Sequence, residues 1–433
     1  MSSPLPDVVR PLSRPTRYPA RWVAYVLQLA LLACSDPPQK CAAGACPAGY
    51  TCVAETGHCE LQAAGAASHV GLFGRFATVA RKKAAPVAVG FSAERQSLAV
   101  VTDDGVAFLA GPAATPGEPA AGQACAAVHT ADGQLAIAWL RPSDHSVWLA
   151  SGTGSKWSIA QVDPVLAGKA APPIALVQVA GRPVIAVRDA DKQSLRLLSP
   201  LAPKGWAATE VPMPPGPTKT QPPCSDFGQA FSMVALPAGV AIAGYDATYG
   251  DLVLAVQTSD DWSLSRVAGT DPVTGIDNGD MGAASALALA PNGTLVVAWR
   301  DRSRDAVMLA RATNGVLVAE TVATGNFAGP AGTVQRALVG ASLTLALQQD
   351  GRAAVGWFNG TTWRVELALQ RASGGFTKAA LPALTATQTL QLWPALADDG
   401  AGGLWLSWVE SQAGRVPASS RLVHDLIAPG VWP

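Results

Sequence analysis

Aspartate closes an apolar run at four places along the chain, at Asp103, Asp189, Asp246 and Asp301, and Arg188, Tyr245 and Arg300 stand immediately before three of them. One recurring place therefore offers carboxylates, guanidiniums and a phenol. Guanidiniums hold carboxylates and other oxygen ligands through paired hydrogen bonds. Two carboxyl groups, or a phenol with an acid, are the groups used to cleave glycosidic bonds. Asp189, Tyr245, Asp246, Arg300 and Asp301 are accordingly the ligand-binding candidates. A short acid at a strand end also accepts hydrogen bonds from the turn that follows it. Recurrence of the acid at one position favours that structural role.

A second acidic concentration is the loop from Asp271 to Asp280, where Asp271, Asp277 and Asp280 accompany Asn278. Oxygen donors crowded in this way suit Ca²⁺, although the spacing departs from the Asp-x-Asp-x-Asp-Gly loop. The histidines, His58, His69, His129, His145 and His424, are scattered, and neither His-Glu-x-x-His nor Gly-x-Ser-x-Gly occurs. Composition adds no basic tract: lysine and arginine number 31 against 31 acids, which gives no footprint for nucleic acid.

Seven cysteines divide into Cys34, the cluster Cys41, Cys46, Cys52 and Cys59, and the isolated Cys125 and Cys224. The cluster's gaps of four, five and six residues run beyond the two to four usual within a zinc ligand pair, so disulfides are the reading taken for it. Its three possible connectivities stay open. Cys125 and Cys224 are expected to pair with each other.

The elements that must position these groups are short strands. With 42 glycines, 34 prolines and only 14% charged residues, the chain suits many buried strands joined by tight turns. A unit repeats, most legibly as Ala286–Ala290, a Pro-Asn-Gly turn, Thr294–Asp301, Ala306–Arg311 and Val316–Val322. Its copies align on a glycine followed six residues later by a bulky residue: Gly133 and Trp139, Gly181 and Val187, Gly239 and Tyr245, Gly293 and Trp299, Gly351 and Trp357, Gly402 and Trp408. Val101 marks an earlier copy without the glycine, giving seven units. A polar-apolar fourth strand recurs at Trp157–Val162, Trp206–Val211, Trp262–Val267 and Phe376–Leu381. The architecture expected is all-β, a propeller of seven four-stranded blades. The last unit lacks its fourth strand, and Phe76–Ala80 carries that signature, so residues 76 to 80 are expected to close the ring.

Fragments such as Gly154-Ser-Lys-Trp157 and Asp260-Asp-Trp262 resemble remnants of the Asp-box, and the repeat resembles β-propellers of the sialidase-like, neuraminidase-repeat kind. That resemblance implies an arginine-gripped carboxylate and a tyrosine nucleophile assisted by a glutamate. Tyr245 and Tyr249 are the tyrosines available in the ring, and neither has a glutamate beside it in sequence.

The N-terminus carries Arg10, Arg14, Arg17 and Arg21 before the twelve-residue apolar run Trp22–Ala33. This is the layout of a secretory signal, and the run is shorter than the roughly 20 residues of a spanning helix. Leu31-Leu32-Ala33-Cys34 resembles the lipobox of bacterial lipoproteins, which implies cleavage before Cys34 and lipid on its thiol. The cluster from Cys41 to Cys59 resembles the small EGF-like modules that follow such anchors. The organisation expected is a signal peptide at 1–33, a lipidated tether at 34–40, a disulfide module at 41–60, a linker at 61–75 and the propeller at 76–433.

The functional expectation is an exported, lipid-anchored, monomeric envelope protein of the outer membrane or cell surface. Its propeller is a non-catalytic platform for an envelope glycan or protein, with no cofactor other than the candidate Ca²⁺. A glycan-cleaving hydrolase or lyase and a structural envelope scaffold are the alternatives.

Overall fold

The computed structural model describes the strands at 50–53, 58–61, 69–70, 78–82, 85–92, 97–102 and 105–109, and most of 124–427. Within that last span 142, 155, 163–167, 202–204, 260, 314–315, 329–333, 337–338, 341, 380–388, 399–402 and 413–419 lie outside the described residues. Cys34, Cys41, Cys46, Asp103 and Gly402 therefore fall outside the description, as do the signal and tether.

The fold is all-β, with seven four-stranded antiparallel sheets among the described residues. Blade 1 comprises Thr78–Lys82, Ala85–Ser92, Ser97–Thr102 and Gly105–Leu109; blade 2, Cys125–His129, Leu135–Leu140, Val147–Thr153 and Lys156–Gln161. Blade 3 comprises Ala170–Val179, Arg182–Asp189, Ser194–Pro200 and Trp206–Glu210; blade 4, Phe227–Leu236, Gly239–Asp246, Asp251–Thr258 and Asp261–Ala268. Blade 5 comprises Met281–Leu289, Leu295–Asp301, Ala306–Thr313 and Val316–Thr324; blade 6, Leu343–Leu347, Ala353–Asn359, Arg364–Gln370 and Phe376–Ala379. Blade 7 holds Thr389–Asp398, Leu404–Gln412 and Ser420–Ile427, with His69–Val70 as its outer strand. Each blade's first strand contacts the first strand of the next, and blade 7 contacts blade 1 in the same way, so the ring closes.

Closure is made by the N-terminal chain, but at a different address from the one expected. His69 faces Leu422 and Val70 faces Arg421, whereas Thr78–Lys82 pairs with Ala85–Ser92 at the channel edge of blade 1. Only two residues separate those two strands, and closing so short a loop costs little entropy. The ring-forming chain thus begins within 61–75.

The turns between first and second strands explain the repeated glycine. In Thr130–Gln134, Ala290–Thr294 and Gln348–Arg352 the glycine N–H donates to the carbonyl three residues back, at 2.9, 2.8 and 2.8 Å. Gly133, Gly293 and Gly351 adopt φ of 80°, 83° and 83°, which only glycine reaches without steric cost.

The bulky residue six positions on fills the space between blades. Trp139 packs in the core shared by blades 1 and 2, Trp299 between blades 4 and 5, Trp357 between 5 and 6, and Trp408 between 6 and 7. All four are fully buried. Truncating one to alanine costs about 3–5 kcal/mol by the usual large-to-small scale.

Cys125 and Cys224 are not joined to each other. Cys125 lies in the core of blades 1 and 2 and Cys224 in that of blades 3 and 4, so a bond would have to cross an entire intervening blade junction. Cys52 and Cys59 face one another in the hairpin Tyr50–Val53 and His58–Leu61.

Candidate functional site

Because the strands alternate in direction, turns between second and third strands and connections between successive blades meet on one face, called here the upper face. The recurring acids sit at its base. Asp189 Oδ1 accepts the backbone N–H of Asp191 and Lys192 at 3.1 and 3.3 Å, and Asp246 Oδ1 those of Thr248 and Tyr249 at 3.0 and 3.3 Å. Asp301 Oδ1 accepts Arg304 N–H at 2.9 Å, and in blade 6 Asn359 plays the same part toward Thr361 and Thr362. The second oxygen of each acid meets an arginine: Arg196 on Asp189 at 2.5 Å, Arg266 on Asp246 at 3.1 Å and Arg304 on Asp301 at 3.1 Å. Asp189, Asp246 and Asp301 are buried and committed to their turns, so the ligand role considered for them is corrected to a structural one.

Arg266 holds the most concentrated of these clusters. From the outer strand of blade 4 it bonds both Asp246 and Asp251, each fully buried, and donates to the Pro215 carbonyl at 2.5 Å. Burial pushes the Asp251 carboxyl up from its ordinary value, against the Thr270 hydrogen bonds and the Arg266 charge that pull it down. The same arginine lies over the Tyr249 ring, whose hydroxyl donates to Pro222 O at 2.7 Å. The proline-rich connection 212–226 is thereby strapped to blade 4.

Strand alternation sends the residue before each acid to the opposite side, and there the candidates form a row along the blade junctions. Arg188 of blade 3 reaches Asp226, at the entry to blade 4, at 2.7 Å, and Gln229 donates to the other oxygen of Asp226 at 2.5 Å. Tyr245 of blade 4 donates its hydroxyl to Asp280, at the entry to blade 5, at 3.0 Å. Arg302 holds the second Asp280 oxygen at 2.8 Å, and Ser303 Oγ accepts the Asp280 N–H at 2.8 Å. Burial, then the Asp280 charge and the hydrogen bond to it, holds the Tyr245 phenol well above its ordinary range. In blade 5, Arg300 pairs with Asp305 at the longer separation of 3.6 Å.

Glycines let these acids approach. Gly228 and Gly282 follow Asp226 and Asp280 by two residues, with φ of 88° and 92°, and a Cβ there would strike Leu195 and Leu252. Both begin a β-bulge in the channel-lining strand, between Phe227 and Phe231 and between Met281 and Ser285. Bulges redirect side chains at barrel rims and sites. Here Gln229 within the first bulge is exposed on the face beside Asp226.

The three acids proposed for Ca²⁺ do not converge. Asp271 accepts Val273 and Thr274 N–H at 2.8 Å each, Asp277 accepts Gly279 N–H at 2.8 Å, and Asp280 belongs to the Tyr245 and Arg302 cluster. Among the described residues no group of three or more His, Cys, Asp or Glu is arranged to hold a metal ion. The metal reading is therefore corrected: each acid serves its own turn or its own side-chain partners, and the three are not gathered about one point.

Asp226, Gln229, Arg302 and Arg266 escaped the sequence reading. A signal was present in Asp226-Phe-Gly228 and Asp280-Met-Gly282, a motif that stands immediately before two first strands. It was obscured because each acid serves the preceding blade rather than its own.

No family model matches the chain, and no curated protein matches it. Among solved structures it is similar to an α-L-arabinanase of Penicillium chrysogenum in complex with arabinobiose, at 14% identity and TM-score 0.44, over 70% of this chain and 92% of that one. It is also similar to the SapL1 lectin in complex with α-methyl fucoside, at 12% identity and TM-score 0.43, over 73% and 98%. A third is the GH93 α-L-arabinofuranosidase of Fusarium graminearum with arabinobiose, at 13% identity and TM-score 0.42, over 69% and 92%.

Proposed function

We propose that the protein is a lipid-anchored envelope component whose propeller binds a glycan on the upper face of blades 3 to 5. One observation carries the reading: Arg188 with Asp226 and Gln229, and Tyr245 with Asp280 and Arg302, form two similar polar seats at successive blade junctions. Their donors and acceptors are set by rigid strands, which lowers the ordering cost of binding a hydroxyl-rich ligand. The test is retention of the purified full-length protein on an array of neutral and acidic envelope oligosaccharides. Binding that falls at least tenfold in Asp226→Asn and Arg302→Ala supports the face; no retention on any glycan overturns the reading.

The anchor is tested separately. Cys34→Ser is expected to abolish incorporation of radiolabelled palmitate and to release the protein from the membrane fraction. Unchanged labelling sinks the lipid assignment.

Glycan cleavage is the second reading, favoured by the contact of Tyr245 with a carboxylate at 3.0 Å. A tyrosine nucleophile needs its proton removed, and here the environment opposes that loss. Release of reducing sugar from any oligosaccharide on the array, abolished in Tyr245→Phe, would move the assignment to an enzyme.

A further inference from the structure

One backbone conformation recurs on the upper face and is filled by a different residue in each blade. In blades 2 to 6 the turn between the second and third strands holds one residue at positive φ: His145 at 59°, Gln193 at 53°, Gly250 at 75°, Asp305 at 48° and Trp363 at 57°. Each stands four residues after the turn's base, at Arg141, Asp189, Asp246, Asp301 or Asn359, and one before the residue that closes the turn. The fold uses this conformation to aim a carbonyl at the next connection. Gln193 O accepts the Phe227 N–H at 2.9 Å, Gly250 O that of Met281 at 2.7 Å and Asp305 O that of Gly325 at 2.6 Å. A side chain is not needed for that: Gly250 does it in blade 4 without steric cost, whereas any other residue is strained there.

Tryptophan is the least expected occupant, since positive φ in a bulky residue is a true outlier. Trp363 is also 39% exposed, while Trp139, Trp299, Trp357 and Trp408 are fully buried and Trp157, Trp206 and Trp262 are half-buried. Phe358 meets it edge-on, with ring centroids 5.9 Å apart and planes at 68°. Phe358 stands immediately before Asn359 and faces Val365, as Arg188 faces Leu195, Tyr245 faces Leu252 and Arg300 faces Val307. It is therefore the blade 6 member of the junction row. Edge-to-face contact orients the indole while leaving part of it to solvent. Backbone strain kept where it displays an aromatic beside a polar row is the mark of a ligand contact rather than of a stability device.

We infer that Trp363, braced by Phe358, stacks on the C–H face of a sugar ring and adds an aromatic seat to the polar ones of blades 3 to 5. The face of an indole is electron-rich and attracts the polarised C–H bonds that a pyranose with equatorial hydroxyls presents on both sides. The ligand class is accordingly a chain of such pyranoses, long enough to reach from the polar seats to blade 6. This rests on the glycan-binding reading and extends it.

The experiment is titration calorimetry of the full-length protein with cellohexaose, xylohexaose and chitohexaose, with a thermal melt of every variant. At least one hexasaccharide is expected to bind. Trp363→Gly should weaken that binding about tenfold, the scale of a stacked tryptophan anchor, while melting at or above the wild-type midpoint because glycine relieves the strained φ. Trp363→Tyr keeps an aromatic face and should retain most of the affinity. Affinity unchanged in Trp363→Gly, or lost equally in Trp363→Tyr and Trp363→Gly, overturns the inference while leaving glycan binding standing. Retention of other glycans on the array with none of the three hexasaccharides bound does the same. No binding to any oligosaccharide overturns both.

Discussion

The phenolic oxygen of Tyr245 lies 3.0 Å from Asp280 Oδ1, so that a side chain of blade 4 is bonded to the first residue entering blade 5. Tyr245→Phe removes this bond and leaves Asp280 to Arg302 and Ser303. A hydrogen bond to a charged group contributes about 1.5–3 kcal/mol, so a loss of that order is expected in urea unfolding. An unchanged midpoint would show that the contact does not brace the junction.

The same pair sets an alkaline limit. The Tyr245 phenol is held above its ordinary value of 10.0 by burial and by Asp280. Its contribution to stability is therefore complete below pH 10.0 and is lost as the pH rises toward the folded value. Unfolding followed by fluorescence should show a steeper alkaline decline in the wild type than in Tyr245→Phe. Parallel profiles would contradict this.

Arg266 is bonded to two fully buried carboxylates, Asp246 and Asp251. Breaking a buried charge cluster by removing one partner costs about 3–5 kcal/mol, and Arg266→Met is expected to lose that much at neutral pH. Asp251, already pushed up by burial and no longer pulled down by the Arg266 charge, would then titrate higher in the folded than in the unfolded state. The missing stability should accordingly return as the pH falls toward its protonation, and a deficit that is flat from neutral to acidic pH would refute the account.

Gly282 and Gly293 have similar φ, of 92° and 83°, but different surroundings. A Cβ on Gly282 meets Leu252 at 2.8 Å, whereas one on Gly293 meets nothing within 4 Å. Gly293→Ala should cost about 1–2 kcal/mol of backbone strain alone, and Gly282→Ala clearly more because the core must shift as well. Thermal midpoints of the two variants rank the effects; equal losses would mean that the bulge relaxes freely.

Burial pushes the thiols of Cys125 and Cys224 up to about 12. The nucleophilic thiolate is then scarce at neutral pH, and iodoacetamide should label neither residue in native protein and both after unfolding. Mass spectrometry finding them joined in the native protein would contradict their separate cores.

The ring was legible because its repeat is written in residue types with single uses. Glycine at 133, 293 and 351 answers a backbone conformation, and tryptophan at 139, 299, 357 and 408 answers the volume between blades. The outer strands beginning at Trp206 and Phe376 followed from alternation alone. Closure at His69–Val70 was not legible, since two residues hold no pattern and Phe76–Ala80 mimicked one. The site was half legible. Tyr245 and Arg300 were found through their place beside the recurring acid, but that acid serves the turn. The partners of Arg188 and Tyr245, Asp226 and Asp280, come from the next blade, 38 and 35 residues further on, a separation that no local spacing encodes.

The account stands most directly on the junction row, and oligosaccharide array binding by the full-length protein beside its Asp226→Asn and Arg302→Ala variants measures it. Retention by the wild type, reduced at least tenfold in both variants with unchanged circular dichroism, is the predicted result. Retention unaffected by either substitution, or none on any glycan, would contradict it.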